Sequence, residues 1–315
     1  MFMMKISTQF KLKFFYWFLI FCVLFAGLWF IVISPLGPDF SRIPGDLGDA
    51  RFNNYILEHD YRWLTGQDSS LWSAPFFYPY PLTLTFSDNH IGSIPFYSFF
   101  RWISLDREST FQAWYILSYI LNFCAAAFVL SKFGLTSLSV AIGSFFFTFG
   151  LPQISQEFHV VLFYRFCIPL ACYYFYEFAQ KADIKLLSFA LFWVIWQFYF
   201  SIYLGFFLGL FLLTLTIGLS LIENGTIREK ICFWPDVIHR SLKNTKKSRR
   251  IVNGLAIFIL IILLFYLFRP YLLASEQYGF SRSSDEIQKM LPQVQSYFSC
   301  VHSLIWRDSS IELLK

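Results

Sequence analysis

Charge is what this sequence has least of. Lysine, arginine, aspartate and glutamate make up 14% of its 315 residues, against roughly 25% in ordinary soluble domains. With a mean hydropathy of +0.53, that scarcity excludes a soluble globular enzyme. Residues 35 to 110 contain no lysine. Cysteines are few and scattered (Cys22, Cys124, Cys167, Cys172, Cys232 and Cys300), with no metal-site spacing and no need for a disulfide frame. No Walker loop, dinucleotide fingerprint, zinc motif or nucleophile elbow occurs, and no internal repeat. The net charge of +5 is concentrated in one loop, so it bears on membrane topology and excludes a nucleic-acid partner.

What the chain has instead is apolar and aromatic: 57% hydrophobic residues, 22% aromatic, 42 of them Phe. The apolar runs are long rather than short and alternating. They predict an all-α polytopic membrane protein with about seven transmembrane helices in one module, 1–315. Phe14 to Ser34 carries no charge and continues apolar to its end, unlike the roughly 7–15-residue core of a signal peptide. It reads as an uncleaved anchor. Further spans are expected at about 111–130, 135–151, 158–179, 185–200, 202–222 and 251–269. Leu186 to Ile222 is uncharged for 37 residues. As one helix it would reach about 55 Å, beyond a core of about 30 Å, so it must fold back, near Phe198 to Tyr203.

Between the first two spans, 35–110 forms a long loop with two interfacial helices, Arg51–Leu64 and Ile94–Trp102. Short segments on one side hold Lys5, Lys11, Lys13, Lys132, Lys181, Lys185 and the eight basic residues of the 223–250 loop; short segments on the other side hold none. This places the N-terminus in the cytoplasm, and the first loop and the 270–315 segment on the extracytoplasmic face. The chain closes at Leu313-Leu314-Lys315 without a terminating feature, which leaves both a natural end and a truncation open.

Asp46 and Asp49, in Gly45-Asp46-Leu47-Gly48-Asp49-Ala50-Arg51, are the first candidates for chemistry. Carboxylates at a membrane–water boundary can serve as a general base or bind a divalent cation such as Mg or Mn. Either could equally be the cap of the helix that follows. Asp88 and His90, in Ser87-Asp88-Asn89-His90, read as a second half-site or as a turn. Glu157, His159 and Arg165 stand at the outer entrance of the fourth span. Arg165, about 10 Å down that helix, is a phosphate ligand or the partner of Glu157, and Pro169 would kink the helix below it. Arg282 is a phosphate ligand reaching back over the membrane, or a surface charge.

The layout of one span, a long acidic outer loop, two interfacial helices and six more spans resembles the N-terminal module of GT-C-type integral membrane glycosyltransferases. Gly45 to Arg51, Phe77-Tyr78-Pro79, Ser87 to His90 and Arg165-Phe166-Cys167-Ile168-Pro169-Leu170 are similar to a bacterial membrane-protein group with this layout. The resemblance implies a bacterial inner-membrane enzyme. It would take sugar from a polyprenyl-phosphate donor to a glycan, lipid or protein acceptor, with inversion. An Asp of the first loop would be the base and basic residues would hold the phosphate. The family's acidic pair is adjacent, whereas Leu47-Gly48 separates Asp46 from Asp49, so either can be the base. A non-catalytic carrier of lipid-linked substrate, an assembly subunit or an inactive fragment would share the scaffold.

Overall fold

The structure is a computed structural model that describes residues 2–156, 159–222 and 226–292. Among these residues all regular structure is helical. Five helices are long and apolar enough to cross a membrane: Phe14–Leu36, Arg107–Lys132, Ser137–Ile154, Ile202–Ile222 and Lys247–Tyr278. The protein is a helical membrane protein.

Helix α1 (Phe2–Gly27) runs on through wider and then tighter turns to Leu36, where Pro35, Gly37 and Pro38 stop it. Ile20, Leu24, Leu28 and Val32 recur every four residues and are buried, whereas Phe14, Phe18, Phe25 and Phe30 point outward. The loop carries α2 (Asp49–Leu64) and α3 (Ile94–Trp102), close to the expected interfacial helices. Helix α4 (Arg107–Lys132), capped by Asp106, is the central helix, with more than half of its apolar stretch buried. Then come α5 (Ser137–Phe149) and the single turn α6 (Leu151–Ile154).

The fourth expected span differs from its prediction. Residues 160–162 form one tight turn, 163–166 are irregular, and only α7 (Cys167–Lys181) is α-helical. Pro169 lies in the first turn of α7. Its ring would meet the carbonyl of Arg165 if the helix extended upward, so it ends the helix rather than kinking it.

Helices α8 (Ile184–Phe200) and α9 (Ile202–Ile222) fold back at Ser201, within the expected turn. Ser201 is extended, with φ −158° and ψ 124°. The arms are tight: a Cβ on Gly205 would lie 2.4 Å from the Phe198 ring, and one on Gly92 would lie 2.8 Å from the Phe200 nitrogen. Glycine is required at both positions.

Helix α10 (Ile227–Asn244) opens on a Thr226/Glu229 capping box and rests on the bundle through Trp234, whose Nε1 donates to Thr216 O at 3.0 Å. Helix α11 (Lys247–Tyr278) does not stop at Arg269 as expected. It continues through Pro270 because its C-terminal end has a partner: Leu267, Pro270 and Ala274 share one buried face. There Tyr271 and Tyr278 donate hydroxyl hydrogen bonds to Ser87 O (3.2 Å) and Pro81 O (2.8 Å) of the first loop. The short α12 (Ser284–Met290) is exposed.

Candidate functional site

The first turn of α2 gives its two aspartates different tasks. Gly48 holds the N-cap position and has no side chain to offer; Asp46 Oδ1, two residues before it, accepts the Ala50 N–H at 3.0 Å and so does the capping work. Asp49 is inside that turn, so its carboxylate is released from capping. Its Oδ2 meets His159 Nδ1 at 3.1 Å, across 110 residues of sequence. Both side chains are accessible, with relative exposures of 60% and 54%.

A buried relay holds this turn in place. Asn53 Nδ2 donates to Asp49 O at 2.7 Å, and Asn53 Oδ1 lies 2.7 Å from His90 Nε2. With the Asn53 amide oriented by the first bond, Nε2 of His90 carries the proton and donates. Burial pushes the His90 imidazole down to about 3, so the ring is neutral. His90 is therefore a fixed donor behind the site, with its backbone at φ 54°.

The rest of the Ser87–His90 tetrad is tied to the helix bundle. Asp88 accepts from Ser201 Oγ at 2.7 Å and from the Ile202 N–H at 2.8 Å, so it caps α9 from a distant loop. Burial raises its carboxyl to about 6, against the lowering effect of these two bonds. Asn89 donates to the Tyr271 hydroxyl at 3.2 Å, and its Oδ1 accepts the Ile91 N–H at 2.9 Å. One short loop thus engages α2, α9 and α11.

Asp49, Asn53, Ser87, Asp88 and His159 come together on a cavity of ≈ 660 Å³. Phe52, Phe77, Phe86, Val161 and Leu162 supply apolar walls, and Tyr203 and Phe207 of α9 close one side. Those two α9 residues are 61% exposed, and only 11% of that helix's window is buried. The cavity therefore lies beside a helix whose outer surface faces lipid.

Other sequence candidates fall elsewhere. Arg165 is absent from the cavity lining. Its Nε donates to Leu162 O at 2.7 Å, and its N–H to Asn122 Oδ1 at 2.9 Å. The side chain thus ties down the irregular turn that Pro169 creates. Arg282 is exposed, 3.9 Å from Glu286, which fits the surface-charge alternative. Glu157 lies outside the described residues. Asn53, Tyr203 and Phe207 were missed; the signal available for Asn53 was its place four residues after Asp49, on the same helical face.

The opposite face of α2 carries an ionic network that the sequence left unread. Glu58 meets Arg101 at 3.0 Å, Arg107 at 3.3 Å and the Tyr97 hydroxyl at 3.1 Å. Asp68 bridges His59 (2.9 Å) and Arg62 (3.0 Å), and the Arg62 hydrogen bond holds its carboxyl below the usual range. Asp60, three turns on from Asp49 and on the same helical face, is fully buried, and neither of its oxygens has a hydrogen-bond partner among the described residues. Burial drives its carboxyl well up, toward the neutral form.

Among the described residues no three His, Cys, Asp or Glu cluster with metal-binding geometry, and the Asp88 oxygens already accept from Ser201 and Ile202. Comparison with protein-family models, with curated proteins and with solved structures found no match.

Proposed function

We propose that the protein is a GT-C-type membrane glycosyltransferase working at the ≈ 660 Å³ cavity, with Asp49 as base. One observation carries the reading: Asp49 and His159, remote in sequence, pair at an accessible cavity beside lipid-facing α9. A polyprenyl-phosphate sugar enters from the α9 side, where Tyr203 and Phe207 accept its hydrocarbon. Asp49 takes the proton of the acceptor hydroxyl as its oxygen attacks the anomeric carbon. The carbon–oxygen bond to phosphate breaks with inversion, and the electron pair leaves on the phosphate. His159, when protonated, brings positive charge to that departure in place of Arg165. Asn53 and His90 hold Asp49 in register.

In this reading α7 with the turn above it, and the 17-residue α8, complete seven crossings. The site faces the extracytoplasmic side of a bacterial inner membrane.

The test is transfer from a panel of radiolabelled polyprenyl-phosphate sugars by the protein in vesicles. Asp49→Asn is expected to lower transfer by about 10²–10⁴-fold, the usual worth of a general base. Asp46→Ala is expected to leave most of it. Equal transfer by wild type and Asp49→Asn would sink the assignment.

The cavity has no lysine or arginine among its lining residues. That favours a second reading, a lipid-linked substrate carrier without catalysis. Donor bound with unchanged affinity by Asp49→Asn, and turned over by neither protein, would select it.

A further inference from the structure

We propose that the groove between α8 and α11, on the side of the basic loop, holds one anionic phospholipid of the adjacent leaflet. The inference is independent of the glycosyltransferase reading. Two chambers make up the groove. One, ≈ 530 Å³, is lined by Lys185, Ser188, Phe189, Trp193 and Asn253 among others; the second, ≈ 340 Å³, by Ile91, Pro95, Ile195, Trp196 and Leu263 among others. Phe192 and Leu260 line both, so the chambers adjoin.

The helices run parallel and meet at both ends, through Ser188 Oγ to Asn253 Oδ1 at 3.1 Å and Tyr199 Oη to Leu263 O at 2.8 Å. Between those ties Phe192, Trp193 and Trp196 line the groove. An unfilled apolar groove of this length in a bilayer takes up hydrocarbon.

Charge decides which lipid. The one charged lining residue, Lys185, stands at one end, with Ser188 and Asn253; at the other end the Tyr199 hydroxyl is already bonded to Leu263 O. Arg249 and Arg250 precede Asn253 by four and three positions, which puts them on the same face of α11. No ion pair among the described residues engages Lys185, Arg249 or Arg250. Asp183, two residues before Lys185, is occupied as the cap of α8, accepting the Lys185 N–H at 3.0 Å, and Glu177 pairs with Lys181. The groove mouth therefore presents cations and hydrogen-bonding groups where a lipid phosphate would lie. A chain of one leaflet, about 15 Å long, runs from Lys185 to about the level of Ile195, ten residues and about 15 Å along the helix. That length carries it past Phe192 into the second chamber.

The test uses the full protein in detergent, exchanged into an equimolar mixture of phosphatidylglycerol and phosphatidylcholine, with retained lipid read by native mass spectrometry. Wild type is expected to keep one phosphatidylglycerol in about tenfold preference, as one charge-assisted contact of about 1.4 kcal/mol gives. Lys185→Glu should abolish the preference, and Leu260→Trp, which fills the passage between the chambers, should release the lipid. Lys185 is exposed, so its variant tests the idea even where Leu260→Trp fails to fold. Equal retention of the two lipids by wild type, or an unchanged preference in Lys185→Glu, overturns the proposal.

Discussion

Two acid-bearing stretches of the first loop are alike in sequence and unlike in use. Gly45–Arg51 carries Asp46 and Asp49; Ser87–His90 carries Asp88 beside a histidine. In the first, one carboxylate caps a helix and the other remains accessible against His159. In the second, every polar side chain that contacts another element is already bonded to it. A short Asp-rich loop can thus be a reactive group or a fastener. Whether neighbouring backbone N–H groups have claimed its oxygens decides which.

Substitutions can break that comparison, and the largest effect belongs to Asp49. Asp49→Asn should cost about 10²–10⁴-fold in sugar transfer with the melting temperature unchanged, since no backbone N–H depends on this side chain. The converse holds at Asp88. Asp88→Ala strips the α9 N-terminus of two bonds and should destabilise the protein by about 3 kcal/mol, measured by denaturation in detergent. Loss of transfer without loss of stability would move Asp88 into the reactive class.

A pH series sharpens the same contrast. Asp88, raised to about 6 by burial, binds its proton more tightly folded than unfolded. Its contribution is present below the unfolded carboxylate range and is lost as pH rises toward 6. His90 acts oppositely: lowered to about 3, it stays neutral in the fold while the unfolded imidazole protonates. Its contribution is present above about 6.5 and is lost as pH falls toward 3. Melting temperatures of His90→Gln from pH 4 to 8 should show a weaker acid-side decline than wild type; an unchanged decline would remove His90 as its source. The smallest effect falls on Asp46→Ala, about 1 kcal/mol for a lost cap, with transfer nearly intact.

Much of the scaffold was readable from the sequence because apolar length is a local property. Leu186–Ile222 is too long for one crossing, and the turn falls at Ser201, inside the window that length predicts. The helices α2 and α3 were legible as helices, α2 from its one-sided spacing of Phe52, Tyr55, Ile56 and Trp63. The exceptions have local causes. Pro169 stops α7 short, so Arg165 sits in an irregular turn instead of on a helix. Helix α11 outruns its apolar stretch because Leu267, Pro270 and Ala274 find a surface to pack on. The site was legible only as a set of residue types. That Asp49 would meet His159, or that Asp88 would serve Ser201 and Ile202, depends on contacts across 110 or more residues, which periodicity does not encode.

The cap on α9 also bears on the order of assembly. Asp88 precedes Ser201 by 113 residues, so during synthesis from the N-terminus the carboxylate exists before the hairpin it secures. An uncharged run that enters the bilayer as a single overlong helix has no internal signal for where to bend. The earlier-made loop supplies that signal from outside, as a waiting acceptor for the first N–H of the returning arm.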